Sequence, residues 1–411
     1  MNETTDQVHG WSYLRGLVSF VIVFFLSVGI WYVFMHGDGI LKLYTPMYGF
    51  SLVTMLLCSI VLITSVWNYY PFSPTPSEPS DRWARGVLLT FEAIILTLFL
   101  TYGVFWRFIG TYAVAYFSPD SIVISGGTGA EPFVARENAS TAIIYFGAAF
   151  LWVALTWDLG FGDWPWLKNS RGVVSWSKTV TVILLSIIVY SFLFHPHVCY
   201  LFYPPQNKAG VEPWWTSFAG TSSAFFSLGL LLCNVAWVTI TKVLWEGYPW
   251  RFFGRENRGS FTRGIITTIG SAILGTITFV ILLKIMNVYW MEPFEGGQYT
   301  DAPYFRYLHA GEISGFVILA AFVLGAYFNN FPNTRVRFLN GLVRTVLAFV
   351  GGVGFYVFYY SPASTMLLGK VPGIAQPDDT PLVWTILFLA IVMIHREFFK
   401  LWPLQHWEPT E

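Results

Sequence analysis

Residues 244–266, LWEGYPWRFFGRENRGSFTRGII, decide how this chain is read. A Trp is followed by a Pro flanked by aromatics, then by four arginines, and the last Arg opens a new apolar run. Such an interruption stands out in a chain that is 55% hydrophobic, 19% aromatic and only 11% charged. Working outward, the same signature recurs: Trp67 with Pro71, Trp157 and Trp164 with Pro165, Phe331 with Pro332, and Trp402 with Pro403. Twelve to fourteen residues after the first four of the five prolines comes a basic residue, Arg85, Lys178, Arg263 or Arg344, and two positions before it Trp83, Trp176, Phe261 or Leu342. Tyr13 and Arg15 supply the second half of the motif near the N-terminus, and Leu401-Trp402-Pro403 its first half near the C-terminus. Near-constant spacing between helices is unusual where loops are free to vary, and fixed-period similarity is the mark of repeated units.

The mean hydropathy of +0.55 lies far outside the soluble range. Ten apolar runs are long enough to cross a hydrocarbon core of ~30 Å. They fall at 14–35, 46–68, 85–109, 141–158, 178–202, 217–244, 263–289, 307–328, 341–361 and 381–401. The first run follows the short acidic start MNETTDQVHG without a small-residue cleavage site and reads as a retained helix. Of the 23 Lys and Arg residues, seven (42, 107, 136, 208, 284, 306 and 370) fall on one side of this topology. The other sixteen fall on the side that holds the termini, which predicts cytoplasmic termini in a plasma membrane, the inner membrane if the source is prokaryotic. The expected fold is therefore an all-α integral membrane protein, one polytopic domain over 1–411, with five two-helix repeats in a quasi-fivefold ring. In that ring the tenth and first helices form the fifth pair, and the odd-numbered helices carry the more suggestive polar content for a central lining.

Zero formal net charge and the lack of a basic domain exclude a nucleic-acid partner. The expected partners are lipid and a small solute, with self-association or a membrane complex left open. Cys58, Cys199 and Cys233 show no CxxC spacing and read as packing residues. Asn138 lies in an Asn-Ala-Ser sequon on the predicted outer side. Gly160-Phe-Gly162-Asp163 and the Gly-rich SGGTGA at 125–130 lack the second Asp and the Lys that a protease dyad and a nucleotide cradle need.

Two sets of residues carry chemistry. Counted from the opening basic residues, His36, Arg107, His197 and Lys284 lie at one depth near the outer ends of odd helices. A ring of cations there would concentrate anions. Glu92 lies deep in the third run, with Gly270 and Gly351 at the matching position of the seventh and ninth. A lone carboxylate at that depth is expensive unless it faces the bundle or water, so it reads as a gate or coupling group. The second set is His195 with Cys199, four apart, and His309 with Glu312, three apart, each on one helical face. Their residue types suit zinc or copper.

In architecture, ten helices as five hairpins resemble the slow-anion-channel and tellurite-resistance group, whose inner helices form a central pore. No pore motif of that group aligns here, and the outer loops at 110–140 and 290–306 are longer. The first expectation is a channel or secondary carrier for a small anionic solute, with no cofactor, and a transporter before an enzyme. The alternative is an integral subunit of a metal- or haem-dependent redox complex built on His195, Cys199, His309 and Glu312.

Overall fold

A computed structural model describes residues 3–72, 79–126, 130–194, 222–254, 259–289, 304–370 and 382–404. Its long helices are α1 (Glu3–Ile30), α2 (Pro46–Val61), α3 (Pro79–Leu98), α4 (Pro132–Thr156), α5 (Arg171–Leu193), α6 (Ser222–Val243), α7 (Phe261–Tyr289), α8 (Tyr304–Tyr327), α9 (Arg337–Tyr359) and α10 (Leu382–Met393). Five of them run on as wider π-helical turns: Trp31–Met35, Leu62–Val66, Phe99–Ile109, Trp157–Phe161 and Ile394–Phe398. Among the described residues, nine helices are long and apolar enough to cross a membrane. The tenth, Leu382–Phe398, is as apolar but is preceded by residues outside that set.

Several helices begin before the starts expected from the sequence, and for α4 the physical reason is visible. The helix expected at 141–158 begins at Pro132, because the charges of its first turns are used. The Glu137 carboxylate accepts from Thr45 Oγ1 and, at 2.8 Å, from Met47 N–H at the start of α2, and the Arg136 guanidinium lies 4.9 Å over the Tyr48 ring. The helix expected from 85 begins at Pro79. Short helices Pro119–Ser125 and Pro362–Leu368 lie in the connections that follow α3 and α9.

Burial decides which helices are enclosed, a choice that the sequence leaves open. In α2, α4, α6 and α8, 67–83% of the most apolar stretch is buried, against 22–33% in α1, α3, α5, α7 and α9. Every residue of α10 except Ile386 is buried. The even-numbered helices are therefore the core, and the odd-numbered ones, which carry the more suggestive polar content, are peripheral. The cause lies in the side chains. Peripheral helices present Leu, Ile, Val and Phe outward, as Phe91, Ile95 and Phe99 do on and just beyond α3. Core helices carry small and hydroxyl residues, such as Ser51, Ser59, Ala139, Ser140 and Ser314, that let backbones approach on all sides.

The core helices pack α2 on α4, α4 on α6, α6 on α8, α8 on α10, and α10 back on α2. Four of the peripheral helices rest across two of them: α3 on α2 and the end of α10, α5 on α4 and the end of α2, α7 on α6 and the end of α4, α1 on α10 and α8; α9 lies on α8 and meets the turn after α6 where Gly341 faces Trp245. The expected contact between the first and last helices is present.

One turn closes all five core helices. The residue before each proline is aromatic, and its N–H bonds to the carbonyl of another aromatic three residues earlier. The pairs are Tyr70 to Trp67, Trp164 to Phe161, Tyr248 to Trp245, Phe331 to Phe328 and Trp402 to Phe399, at 2.9–3.1 Å. The X–Pro bond that follows is cis in each. Left-handed residues precede it, at Asn68 and Tyr69, Gly162, Glu246 and Gly247, Asn329 and Asn330, and Lys400 and Leu401. Such residues end helices by folding the chain back onto their last carbonyls.

Candidate functional site

At the proline-turn end the last turns of the core helices carry single charged residues that touch one another. Asp158, Lys242 and Arg396 each stand seven residues before the proline of their turn. Lys242 Nζ lies 2.7 Å from Asp158 Oδ2 and donates to Ser65 Oγ at 2.7 Å, which joins the ends of α6, α4 and α2. Asn330, after α8, donates from Nδ2 to the Val243 carbonyl at 2.9 Å. Arg396 Nε lies 3.4 Å from Glu397 Oε1, and Glu397 is within Coulombic reach of Lys242. His395 Nδ1 is 3.0 Å from Tyr327 Oη. All five core helices therefore meet in one polar cluster, with side chains of Lys242, Asp158, Arg396 and Glu397 24–32% exposed. At that exposure each ion pair contributes about 1 kcal/mol or less, so the cluster is a poor device for stability alone.

Glu397 also accepts from Tyr69 Oη at 2.7 Å, and Lys400 Nζ lies 3.3 Å from that hydroxyl and 3.8 Å from Glu397 Oε2. The Arg85 guanidinium stacks over the other element of this group, the Tyr69 ring, at 4.6 Å. Burial raises the Tyr69 phenol above its ordinary range, and the Glu397 carboxylate adds to the shift. Burial lowers the Lys400 ammonium, partly offset by Glu397. Two carboxylates, Asp158 and Glu397, thus face four cations, Lys242, Arg396, Lys400 and Arg85. An excess of fixed positive charge beside a low-dielectric core holds anions and repels cations.

The other opening basic residues are anchored differently. Lys178, 2% exposed, donates to the Ser65 carbonyl at 3.2 Å and faces Asp163 at 3.5 Å. Arg263 donates to the Leu159 carbonyl. Arg344 donates to the carbonyls of Leu244 at 2.6 Å and Pro332 at 3.2 Å, and to Glu246 at 3.0 Å. These cations satisfy carbonyls left over at helix C-termini and oppose their negative dipole ends. Arg15 instead is exposed.

The residues singled out in the sequence lie elsewhere. Arg107 and Lys284 are exposed on peripheral α3 and α7, which rest on different core helices. His36 is buried beside Gly369, where an added Cβ would come within 2.3 Å of its Nε2. Glu92 is half-buried on α3, with Oε2 enclosed and without a hydrogen-bond partner. Gly270 receives the Trp250 ring, and Gly351 faces Ala320 of α8. His195, His197 and Cys199 fall outside the described residues. His309 and Glu312 do form a pair, with Nδ1 2.6 Å from Oε2; among the described residues no group of three or more His, Cys, Asp or Glu is placed to hold a metal ion. Cys58 and Cys233 are free and buried, and Asp163 of the GxGD string belongs to a proline turn.

Sequence reasoning missed Asp158, Lys242 and Arg396, which were absorbed into apolar runs as their cytoplasmic ends. The available signal was their common register, seven residues before a proline. Two open hollows among the described residues lie on the outside of the bundle. One is framed by Tyr13, Leu324, Phe328 and Phe331, the other by α7 residues from Ile269 to Ile277. Comparison with protein-family models, with curated proteins and with solved structures finds no match to this chain.

Proposed function

We propose that this chain is a multi-pass membrane protein that carries a small anionic solute, and that the solute enters at the proline-turn end among Lys242, Arg396, Asp158 and Glu397. The observation that carries the reading is the convergence of five core helices on a cluster in which Lys242, Arg396, Lys400 and Arg85 outnumber the carboxylates of Asp158 and Glu397. The core beyond it is filled by large side chains such as Trp384, Phe388, Ile63 and Ile143. Passage then requires core helices to part, which is carrier behaviour and not that of a standing pore. The common turn and the closed order of core contacts support five two-helix units around a pseudo-fivefold axis, with α10 and α1 as the fifth. The excess of Lys and Arg at the turn end supports cytoplasmic termini in the plasma membrane.

The test is uptake of radiolabelled chloride, nitrate and a small carboxylate into liposomes containing the purified protein. Lys242→Gln and Arg396→Gln should each lower uptake while leaving the protein folded. Liposomes that take up none of these anions above protein-free controls would remove the carrier reading. The metal-dependent alternative rests on His309 and Glu312 together with residues outside the described set, and metal analysis of the purified protein addresses it directly.

A further inference from the structure

Arg85 differs from its counterparts. It is 8% exposed, and Nε, NH1 and NH2 are all enclosed without a hydrogen-bond partner. Among the described residues it is the only guanidinium in this condition. Lys178, Arg263 and Arg344, at the matching positions of α5, α7 and α9, each reach a carbonyl at the end of a core helix. Arg85 cannot act as a lipid-facing anchor, since α3 is pressed here onto the turn after α10: a Cβ on neighbouring Gly86 would lie 2.4 Å from the Phe399 ring. Its charge is also badly matched. Lys400 lies within Coulombic reach of Arg85, and Glu397, the carboxylate near both, is already shared with Tyr69 and Arg396.

Unmet donors and a crowd of like charges call for different remedies. Water satisfies donors but leaves the buried Arg85 and the partly exposed Lys400 repelling each other beside the core, whereas an anion does both. We propose that Arg85 and Lys400, on the platform of the Tyr69 ring, bind one compact monovalent inorganic anion at the junction of α2, α3 and the turn after α10. Arg85 and Lys400 share the single carboxylate of Glu397 with Arg396, so positive charge is left over there, which a halide or nitrate offsets. This site flanks the proposed entry cluster and does not depend on whether anything crosses the membrane.

The experiment is chloride-35 NMR of the purified full-length protein in detergent, reading the protein-dependent line broadening of chloride and its displacement by nitrate. Wild type should give a saturable broadening. Arg85→Gln should abolish it, Lys400→Gln should weaken it, and Arg107→Gln, at an exposed position of the same helix, should leave it unchanged. Arg85→Lys guards against misfolding, because Lys178 already occupies the matching position of α5; losing the forked donor should raise the apparent dissociation constant about tenfold. No saturable broadening in wild type, or wild-type broadening in both Arg85→Lys and Lys400→Gln, overturns the site and leaves water as the partner of Arg85. Broadening that depends on Arg85 in a protein that takes up no anion keeps the site and discards the carrier reading. Uptake by a protein whose broadening ignores Arg85 does the reverse.

Discussion

The indole of Trp245 donates to Thr345 Oγ1 at 2.8 Å across 100 residues of sequence. Trp67 makes the same bond to Thr179, also at 2.8 Å. Each Trp stands four residues before the proline of its turn, and each Thr directly follows a buried basic residue. These bonds fix the height at which a peripheral helix crosses the end of a core helix. Thr345→Val keeps the shape and removes the acceptor of the half-buried indole N–H, so it should destabilise the protein by about 1 kcal/mol. In a double-mutant cycle with Trp245→Phe, thermal unfolding in detergent should show strong coupling. Additive losses would mean that the bond does not matter.

Arg344 and Arg15 occupy matching positions with different surroundings. Removing Arg344 leaves the carbonyls of Leu244 and Pro332 without their charged donor, which should cost about 2 kcal/mol or more. Arg15→Ala, at an exposed site, should stay within about 0.5 kcal/mol of wild type. Denaturation midpoints of the two variants, compared side by side, check the contrast.

Gly229 marks the tightest approach of α6 to α8. A Cβ there would lie 2.1 Å from the Tyr307 carbonyl oxygen, and backbone cannot step aside as a side chain can. Gly229→Ala should therefore destabilise by about 1–3 kcal/mol or more. Gly354, on the open face of α9, has nothing within 4 Å of the same position. Gly354→Ala should be neutral or stabilise the helix by about 0.5–1 kcal/mol. Unfolding curves that rank the two alike would contradict the packing described.

For transport, Arg396→Gln should reduce anion uptake more than Arg107→Gln or Lys284→Gln, because its side chain sits where the core helices converge. Exchanging Lys242 and Asp158 should restore part of the uptake lost in Lys242→Asp, since the pair lies at 2.7 Å and keeps its net charge on reversal. Initial rates in liposomes measure both. Equal losses in Arg396→Gln and Lys284→Gln would move the entry away from the turn end.

The apolar runs, the proline turns and the opening basic residues were legible because each follows from local chemistry. A hydrocarbon span has a required length, an aromatic-Pro pair stops a helix, and a basic residue early in the next helix needs a partner. Which helices lie inside was not. Glu92 and Arg107 drew attention as charges in α3, yet a charge on a peripheral helix can reach an edge, whereas enclosure leaves its trace in the small residues of α2 and α4, such as Ser59 and Ala139. The start of α4 was illegible for a related reason. Arg136 and Glu137 look like loop residues until Tyr48, Thr45 and Met47 are placed beside them. The cluster at Lys242 and Glu397 joins residues from distant helices, and no single stretch of sequence displays it.

The bond from Tyr69 to Glu397 spans 328 residues, and it bears on biosynthesis. At a translation pace of about 5–20 residues per second, α2 waits on the order of tens of seconds before the strip of surface it shares with α10 can be covered. During that interval Arg85 has no Phe399 turn to rest on and Tyr69 has no acceptor. A chain released early, short of α10, keeps an uncovered polar seam along α2 and α3. Uncovered polar groups in a membrane are costly and destabilised chains are removed in cells, so nonsense changes late in this chain should act as severely as early ones, through degradation of an otherwise nearly complete bundle.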